Sequence, residues 1–503
     1  MGDEEMAGRI YHEPASDIEV YAECDVLVVG AGAAGHSAAV AAARAGCRDV
    51  ILMERYGYSS GDVTGDYVLM VPKLSWKTLP FVRGIQEEWF DRMERAVPGS
   101  TWGPTLDEIG KKDKMLIERW KMKMDTTSPG DDPVLVRSVY YDGPQLEIEM
   151  DLMLLEFSDR IRILYHSWGT RPIMDGNVIK GVVFESKEGR KAVFAKVVID
   201  ATGDGDLFRQ SGAPYEDLSG ENTRSHNTTL AWRVGGVNTQ YLEDWRKAHP
   251  ELWREISKEL RRLTGLSGGA PSWDEPNGNC LVFNRHVNVN CSTIKDLTAT
   301  EINTRKTIRD VIAYCKRVLP GAYKDMYLLS IAPQTGVRCS RRLTGEYVMT
   351  PKDWVFARRH DDVIAWHSTI CRMNDCAPVE IPYRAILPQK VDNLLCPGRH
   401  VSADAVAIDY VNLIPQCIGT GQAAGVAAAV AVAEGTGTHG VDIRRVQNIL
   451  IDQNVPLPRN ERVDPCYEEL CREFDYGRYT EIARQARENP AMMDDYKPRQ
   501  YWG

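Results

Sequence analysis

The sequence predicts an α/β protein whose nucleotide-binding domain is built from separate stretches of chain, and three observations support this prediction. A short apolar strand runs directly into glycines spaced G-x-G-x-x-G at Gly30, Gly32 and Gly35. A second apolar strand follows and ends in an acid. Segments rich in glycine and alanine return at residues 195–206 and 393–425. The predicted fold class is therefore a discontinuous Rossmann-like domain with an inserted mixed α+β domain.

The first element is the strand at residues 26–29, which is apolar throughout and is expected to be buried. Gly30 permits a tight turn, Gly32 lets the backbone approach a pyrophosphate, and Gly35 lets the next helix pack close to the strand. We expect that helix over about residues 32–45. Its free N–H groups and its dipole favour a phosphate at its start.

The second strand, residues 50–53, ends at Glu54, which lies 24 positions after Gly30. A carboxylate at this point can accept hydrogen bonds from the hydroxyls of an adenosine ribose. It would also repel a 2′-phosphate, so the site is not expected to bind NADP. The loop at residues 55–65 is interrupted by glycines and must cross the bound nucleotide.

Changes of pattern along the 503 residues divide the chain into seven segments, as expected for a chain too long for one core. Residues 195–200 form a buried strand that ends in a glycine turn, and residues 417–425 open another small-residue helix. Both are expected to return to the nucleotide-binding domain. The predicted segments are an N-terminal arm (1–20), the three parts of the nucleotide-binding domain (21–72, 140–212 and 381–440), a helical insertion (73–139), a substrate domain (213–380) and a C-terminal tail (441–503).

The composition, with 43% hydrophobic and 26% charged residues, is typical of a soluble protein with a substantial core. Its 61 basic and 71 acidic residues give a net charge of −10, which argues against a nucleic-acid or membrane partner. The apolar run at residues 418–433 is short for a bilayer span and predicts a buried helix. The N-terminus lacks the features of a signal peptide, and the 12 cysteines form no metal-binding pattern. These features predict a cytoplasmic protein with reduced thiols and no metal site.

Six motifs taken together resemble the FAD-dependent oxidoreductases related to the heterodisulfide-reductase and succinate dehydrogenase/fumarate reductase flavoproteins. The motifs are VVGAGAAG (28–35), IDATGDGDL (199–207), GVRCSRR (336–342), IPYR (381–384), NLLCPGRHVSA (393–403) and GTGQAAG (419–425). The resemblance covers most of residues 24–435 and implies a glutathione-reductase-like FAD fold. It also implies a late helix that begins near Gly419 and points its N-terminus at the pyrimidine end of the isoalloxazine.

Three departures from this resemblance modify what it implies. The chain has no cysteine clusters for iron–sulfur centres. The loop at residues 55–71 contains no histidine that could tether the flavin, so the FAD is expected to be non-covalent. Asn412 stands where related sequences often have an arginine, which argues against a dicarboxylate substrate. The residues expected to bind FAD are Gly30, Gly32, Ala33, Ala34, Gly35, Glu54, Arg55, Gly61, Thr64, Ala201, Thr202, Gly203, Asp204, Gly398, Arg399, Gly419, Gly421, Gln422 and Ala423.

Flavin chemistry needs an acid or base for the substrate proton and donors that orient the substrate. His367 ends an apparent strand directed at the cofactor domain, and His400 follows the Gly398–Arg399 turn, so both are candidate bases. Each could equally serve only in packing. The other catalytic candidates are Arg342 and Tyr383, and the predicted substrate-binding residues are Arg338, Asn227, His286 and Asn412.

The expected activity is hydride transfer between a small organic substrate and flavin N5, with an alcohol, an amine or a C–C bond as the reacting group. One alternative is a C=C reductase fed by an external electron donor. Another is an electron-transfer subunit that acts on a partner protein. The sequence leaves open the substrate, the external electron acceptor or donor, and whether the chain forms a homo-oligomer.

Overall fold

A computed structural model of the chain describes residues 10–71, 74–76, 79–80, 83–121, 134–217, 228–264, 270–275, 278–287, 289–356, 358–367, 378–458 and 489. The strands are β1 (Glu19–Val29), β2 (Val50–Met53), β3 (Met70–Val71), β4 (Ser75–Trp76), β5 (Leu79–Pro80), β6 (Thr101–Trp102), β7 (Val139–Tyr141), β8 (Ile161–Leu164), β9 (Trp168–Asp175), β10 (Val178–Ser186), β11 (Gly189–Asp200), β12 (Tyr215–Asp217), β13 (Thr228–Gly235), β14 (Trp273–Asp274), β15 (Cys280–His286), β16 (Tyr327–Ile331), β17 (Gly336–Val337), β18 (Arg341–Leu343), β19 (Val363–His367), β20 (Val379–Pro382) and β21 (Leu394–Leu395).

The helices are α1 (Ala33–Arg44), α2 (Asp62–Gly65), α3 (Ile85–Ala96), α4 (Lys114–Lys121), α5 (Gly143–Leu155), α6 (Phe208–Ser211), α7 (Thr239–Ala248), α8 (Pro250–Thr264), α9 (Ile294–Val318), α10 (Pro320–Tyr323), α11 (Lys352–Val355), α12 (Ile408–Val411), α13 (Ile414–Glu434) and α14 (Ile443–Asp452). Two 3-10 turns lie at Tyr383–Ala385 and Thr438–Gly440.

The central sheet confirms the predicted fold class. Its strands lie in the order β8-β2-β1-β11-β10-β9, and β21 pairs with the end of β11. The pairs among β8, β2, β1, β11 and β21 are parallel, whereas β9 and β10 add an antiparallel extension on the first half of β11. Residues 26–29 and 50–53 are buried, which explains their uninterrupted apolar sequence.

The carboxyl ends of the parallel strands meet at one edge of this sheet. β1 ends next to β2 and β11 in register, with Val29 opposite both Met53 and Asp200. The residues that follow these strands therefore gather at the same edge, although they are far apart in sequence. In open α/β sheets this edge is where ligands bind.

Helices α1 and α13 cover one face of the sheet and pack closely against each other. A Cβ at Gly421 would lie 2.1 Å from the carbonyl oxygen of Ala34, and one at Gly425 would lie 2.1 Å from that of Ala38. Only glycine permits this approach of two helix backbones. The GTGQAAG motif therefore has a packing role, which the sequence analysis did not predict.

The predicted start of α13 near Gly419 is wrong, because the helix begins at Ile414, with Pro415 in its first turn. By length and composition, α13 is the one helix among the described residues that could cross a membrane. The helix extends beyond the predicted run of 418–433, but 89% of its apolar window is buried inside the protein. Packing in the core accounts for its composition.

A second sheet lies within the predicted substrate domain. Its order is β14-β15-β13-β16, with β17 also paired to β13, and the pairs are antiparallel. Helices α7 to α10 contribute to a core on this sheet that includes Trp232, Leu242, Leu260 and Val311. This mixture of strands and helices is the α+β composition that the sequence predicts for residues 213–380.

The predicted N-terminal arm and C-terminal tail both contain residues that contact the rest of the protein. In the predicted arm, Glu13 forms an ion pair with Arg190, and β1 begins at Glu19. The predicted tail, residues 441–503, opens with α14, whose Val446 and Leu450 are buried in the main core. The first part of the predicted tail thus forms a helix whose apolar side packs on the main core.

Candidate functional site

The glycine turn after β1 is held by backbone contacts that exclude any side chain at two of its three glycines. Gly30 has a φ of +96°, and a Cβ there would lie 2.5 Å from the carbonyl oxygen of Ala201. A Cβ at Gly35 would lie 1.7 Å from the carbonyl oxygen of Gly30. These two glycines have the turn and packing roles that the sequence predicts, and both roles serve the protein's own fold.

Gly32 is different, because the protein does not require a glycine there. Its φ is −66°, and an added Cβ would meet only the Cα of Gly61, at 3.8 Å. Gly32 lines a cleft, so the space that a Cβ would take is space left for a ligand. Helix α1 begins at this point with no side-chain cap and no acid in its first turn. Its exposed N–H groups and dipole therefore suit an anionic ligand such as a pyrophosphate.

The loop after β2 folds back over the glycine turn. The backbone N–H of Ser60 donates to the carbonyl oxygen of Ala31 at 2.8 Å, and Ser60 has a φ of +125°. Gly61 then faces Gly32, and a Cβ on Gly61 would lie 2.9 Å from the Gly32 Cα. Of the loop residues predicted to bind the cofactor, Gly61 lines the cleft, whereas the Thr64 hydroxyl is hydrogen-bonded to that of Ser60.

Glu54 ends β2 as predicted and is 7% exposed, but its carboxylate already has protein partners. One oxygen accepts from the backbone N–H of Ala31 at 2.7 Å, and the other accepts from that of Tyr56 at 2.9 Å. Glu54 therefore holds the glycine turn and the next loop in place. Each oxygen keeps a second lone pair, so binding of the ribose hydroxyls remains a prediction. Arg55 lies with its guanidinium 4.9 Å from the ring centre of Tyr56.

A cleft of about 150 Å³ opens at the carboxyl edge of the central sheet. It lies where the start of α1 meets the start of α13 and the residues that follow β11. Its lining comprises Gly32, Ala33, Ala34, Ser60, Gly61, Asp62, Val63, Asp66, Val68, Ala201, Gly203, Gly336, Val337, Arg338, Gly398, Arg399, Asn412, Leu413, Ile414 and Cys417. Six separate stretches of chain thus form one site.

Arg399 links three of these stretches. Its guanidinium forms ion pairs with Asp62 at 2.7 Å and Asp204 at 2.9 Å, and its Nε donates to the carbonyl oxygen of Gly203 at 2.9 Å. Burial disfavours the charge of Asp204, but Arg399, Arg55 and a hydrogen-bonded serine together outweigh this and hold the pKa of Asp204 below its usual value. Burial has the larger effect at Asp62 and raises its pKa despite Arg399. Arg399 therefore has a structural role that the sequence did not reveal.

The loop after β11 is fixed by one buried carboxylate. Asp200 accepts from the hydroxyl of Thr202 at 2.7 Å and from the backbone N–H groups of Leu207 and Phe208 at 3.1 and 3.0 Å. The predicted cofactor contacts Ala201 and Gly203 line the cleft, whereas Thr202 uses its hydroxyl to hold the loop. Gly398 and Arg399 also line the cleft.

The four predicted cofactor contacts within α13 lie beyond the helix start and away from the cleft lining. Gly421 packs on Ala34, and Gly419 packs on His367. The side-chain amide of Gln422 donates to Gln453 at 3.0 Å. The fourth residue, Ala423, is fully buried in the core. Their contact with a cofactor stays a prediction without support from this geometry, because the first turn of α13 supplies the cleft lining instead.

The two candidate bases are both buried outside the cleft lining. A Cβ at Gly419 would lie 2.4 Å from Nε2 of His367, and burial lowers the pKa of His367 to about 3. His400 bonds through Nε2 to the carbonyl oxygen of Asp200 at 3.0 Å and packs edge-on against Phe208. The structure thus shows packing roles for both histidines, and their catalytic role stays a prediction.

The remaining catalytic candidates also have protein partners. Arg342, in β18, is ion-paired with Glu216 of the neighbouring strand β12. The Tyr383 hydroxyl donates to the carbonyl oxygen of Thr438 at 2.8 Å, and burial raises its pKa. Neither residue belongs to the cleft lining.

The predicted substrate-binding residues divide into two groups. Arg338 and Asn412 both line the cleft, and the Asn412 amide donates to the Arg338 carbonyl oxygen at 3.0 Å. His286 lies in β15 and is hydrogen-bonded to the hydroxyl of Thr304 at 2.7 Å, outside the cleft lining. Asn227 lies outside the described residues.

Asp66 is a residue of the cleft that the sequence analysis missed. It follows α2 directly, lines the cleft and is 4% exposed. Burial, and then the negative charge of Asp62, raise its pKa well above the usual value, and Arg338 opposes this shift. The available signal was the pair of acids four residues apart, Asp62 and Asp66, in a glycine-interrupted loop that was already expected to cross the nucleotide.

These features fit an FAD molecule. The room at Gly32 and the uncapped start of α1 suit its pyrophosphate, and the first turn of α13 reaches the same cleft. Among the described residues no group of three or more His, Cys, Asp or Glu side chains is arranged to hold a metal ion.

Several solved structures resemble the chain at low sequence identity. Solved structures that resemble the chain include a geranylgeranyl bacteriochlorophyll reductase-like protein from Thermoplasma acidophilum, at 15% identity over 86% of this chain and 84% of that chain, with a TM-score of 0.42. Another is the p-nitrophenol 4-monooxygenase from Pseudomonas putida DLL-E4, at 12% identity over 94% and 96% of the two chains, with a TM-score of 0.42. A third is a myxobacterial chondrochloren halogenase, at 13% identity over 94% and 90%, with a TM-score of 0.40.

No match was found among curated proteins. The family described as FAD dependent oxidoreductase matches residues 25–450, which is most of the sequence. The match includes the glycine turn, Glu54, the loop after β11 and α13. This chain therefore belongs to the FAD-dependent oxidoreductases and is an enzyme that uses FAD.

Proposed function

We propose that this enzyme transfers a hydride between a small organic substrate and N5 of FAD, with an alcohol, an amine or a C–C bond as the reacting group. FAD supplies the hydride acceptor or donor when it is bound. The chain has to bind the substrate, orient it and handle the proton that accompanies the hydride. We further propose that the enzyme works in the cytoplasm and is related to the heterodisulfide-reductase and succinate dehydrogenase/fumarate reductase flavoproteins.

The observation that supports a small-molecule substrate is unused hydrogen-bonding capacity in the cleft. The side-chain oxygen Oδ1 of Asn412 and one carboxyl oxygen of Asp66 are buried and have no hydrogen-bond partner within the described part of the chain. Burying such a group without a partner costs about 1–3 kcal/mol, so a ligand that satisfies it gains this free energy on binding. Both residues line the cleft, as does the cationic side chain of Arg338.

The charges of these groups favour a particular kind of substrate. Arg338 attracts a substrate oxygen that carries full or partial negative charge. The Asn412 oxygen accepts from a substrate O–H or N–H. A compound with a hydroxyl, an amino or a carbonyl group next to the reacting carbon can meet both requirements. Here Asn412 and Arg338 orient the substrate, and the surrounding protein excludes water.

The test is an anaerobic screen of the purified, FAD-loaded protein against a panel of alcohols, amines and saturated acids and ketones. Hydride transfer to FAD bleaches its visible absorbance, and we expect at least one class of compound to do so. In a parallel screen, dithionite-reduced protein is mixed with unsaturated acids and ketones, and recovery of the flavin absorbance would identify a C=C reductase. Free FAD under the same conditions is the control for direct chemistry.

Two results would reject the proposal. One is that no compound changes the flavin absorbance in either direction while the protein remains folded and loaded. The other is that the absorbance changes only when a redox-active protein is added, which would indicate an electron-transfer subunit. Acid precipitation of the same preparation tests the non-covalent linkage, since FAD should then appear in the supernatant.

A further inference from the structure

The cleft contains several ionisable side chains, and nearly all of them are committed to other contacts. Among the described residues that line it, Asp62 and Arg399 are ion-paired at 2.7 Å. The thiol of Cys417 donates to the carbonyl oxygen of Asn412 at 3.4 Å, and burial raises its pKa to about 12. Arg338 stays protonated over the working range of pH, as arginine does in proteins. The remaining ionisable group is the carboxyl of Asp66.

The position of Asp66 is fixed by the backbone of β17. The backbone of Gly336 lies against the Asp66 carboxyl and, in opposition to burial, favours a lower pKa for it. A Cβ at Gly336 would lie 1.6 Å from the Asp66 oxygen Oδ2, so the carboxyl packs directly on the strand where only glycine can stand. One face of the carboxyl is therefore held by the protein. The other oxygen, Oδ1, has no partner in the described structure, and it belongs to a residue that lines the cleft.

Asp62, the other acid that lines the cleft, differs from Asp66 because both of its carboxyl oxygens have partners. Asp62 accepts from Arg399 and also from the side-chain amide of Gln334, at 2.7 and 2.8 Å. Asp66 forms no ion pair within the described part of the chain, although Asp62 and Arg338 act on it electrostatically. A carboxyl that is packed against the backbone on one side, shielded from water and unpartnered at Oδ1 can exchange a proton with a bound ligand.

From this geometry we propose that Asp66 is the catalytic acid–base residue of the cleft, which exchanges a proton with the substrate. The proposal rests on the proposed function. In the oxidation of an alcohol, the C–H hydride leaves with two electrons to FAD, the O–H proton moves to Oδ1 of Asp66, and a C=O bond forms. In the reverse direction, Asp66 returns the proton as the hydride comes back to carbon. Atoms and electrons balance with FAD as the only oxidant.

The electrostatic surroundings suit this role. Burial and the carboxylate of Asp62 both favour the protonated form of Asp66, whereas Arg338 and, more weakly, Arg399 favour the ionised form. The balance raises the pKa of Asp66 well above that of an exposed aspartate, as is common for acid–base groups in buried sites.

The first part of the test needs no substrate. The visible spectrum of FAD-loaded protein is recorded from pH 5 to pH 9 for the parent, Asp66→Asn, Asp66→Glu and a control, Asp206→Asn. Asp206 is a second acid whose pKa is raised, to about 6, but it lies outside the cleft lining. We expect a one-proton spectral change in the parent and in Asp206→Asn, its loss in Asp66→Asn, and a shifted midpoint in Asp66→Glu. A spectral change that persists in Asp66→Asn, or a parent spectrum that does not titrate, would overturn the proposal.

The second part uses the compounds that bleach the parent flavin in the anaerobic screen. Asp66→Asn should slow flavin reduction by about 10²–10⁴-fold, the usual contribution of a positioned acid or base, with little change in the dissociation constant of the compound. Asp66→Glu should recover part of the rate. A rate within about threefold of the parent in Asp66→Asn would also overturn the proposal. If no compound changes the flavin absorbance of the parent in either direction, the proposed function fails, and the spectral titration then tests separately whether Asp66 exchanges a proton beside the flavin.

Discussion

Replacing Gly32 by alanine should separate ligand binding from folding at the glycine turn. Alanine adopts the observed φ of −66° without strain, and its Cβ would make an ordinary contact of 3.8 Å with the Gly61 Cα. A Gly→Ala change at such a position stabilises a protein by about 0.4–1 kcal/mol, because it restricts the unfolded chain. The free energy of unfolding of the Gly32→Ala apoprotein should therefore equal or exceed that of the parent.

FAD binding should change in the opposite direction. The added methyl group would occupy the space that the cleft leaves at the start of α1, so the pyrophosphate would lose close approach to the helix N–H groups. Hydrogen bonds to charged groups contribute about 1.5–3 kcal/mol each. Losing one of them raises the dissociation constant of FAD by about one to two orders of magnitude.

The assay combines FAD titration of the apoprotein, followed by quenching of flavin fluorescence, with urea unfolding followed by circular dichroism. Gly440→Ala is the matched control, because its Cβ would lie 3.5 Å from the Thr436 Cβ and far from the cleft lining. It should leave FAD affinity unchanged, while its stability equals or exceeds that of the parent. Gly35→Ala, whose Cβ would lie 1.7 Å from the Gly30 oxygen, should unfold the protein. Parental FAD affinity in Gly32→Ala, or a clear loss of its stability, would refute the assignment of Gly32 to the ligand.

Three further predictions follow from the site and the core. Glu54→Gln should lower the free energy of unfolding of the apoprotein by about 1–3 kcal/mol in urea titrations. The reason is that the amide turns a donor toward one of the two backbone N–H groups from which Glu54 accepts hydrogen bonds. FAD affinity should fall as well, by about tenfold or more. Arg399→Met should cost about 3 kcal/mol in the same assay, since two largely buried carboxylates lose their ion pair, and parental stability would contradict this. Burial lowers the pKa of His36 to about 4, so between about pH 4 and 6.5 the unfolded state binds a proton that the folded state does not. The free energy of unfolding should therefore fall by up to roughly 3 kcal/mol as the pH drops through this range. An equal pH dependence in His36→Gln would show that another group is responsible.

The sequence predicts those parts of the structure that depend on neighbouring residues. The glycine turn, β2 with its terminal Glu54, and the strand before Ala201 all lie where the local pattern places them. Gly30 and Gly35 have the roles assigned from their spacing alone. Such features can be predicted because a turn with positive φ and a close strand–helix contact are properties of a few consecutive residues.

The start of α13 is a case in which a local signal was present and was overlooked. The glycines of GTGQAAG predict a helix that opens near Gly419, but they lie inside it, where they admit the backbone of α1. Pro415, which occupies the first turn of the helix, marked the true start, because proline is tolerated there and disfavoured further inside. A glycine near a helix thus has two explanations, and the position of a proline decides between them.

The functional residues could not be predicted in the same way, because they depend on contacts between distant parts of the chain. His367 was a reasonable base on its titration range, but its position against Gly419 is set by how β19 packs on α13. Asp66 carried no distinctive motif, and its burial depends on Gly336, 270 positions later. Burial and charge, which set a pKa, are properties of the assembled fold and not of the local sequence.

Three of the glycines whose neighbours come from distant parts of the chain show how the discontinuous cofactor domain is held together. Gly30 meets Ala201, Gly421 meets Ala34, and Gly336 meets Asp66, and in each case a side chain at the glycine would push two stretches apart. These contacts bring the segments to the same edge of the sheet, where Arg399 then joins the loops that carry Asp62 and Asp204. Gly32 lies amid these contacts and yet has none that requires glycine. The glycines that build the cleft and the glycine that leaves room for its ligand are therefore distinct, and only the structure separates them.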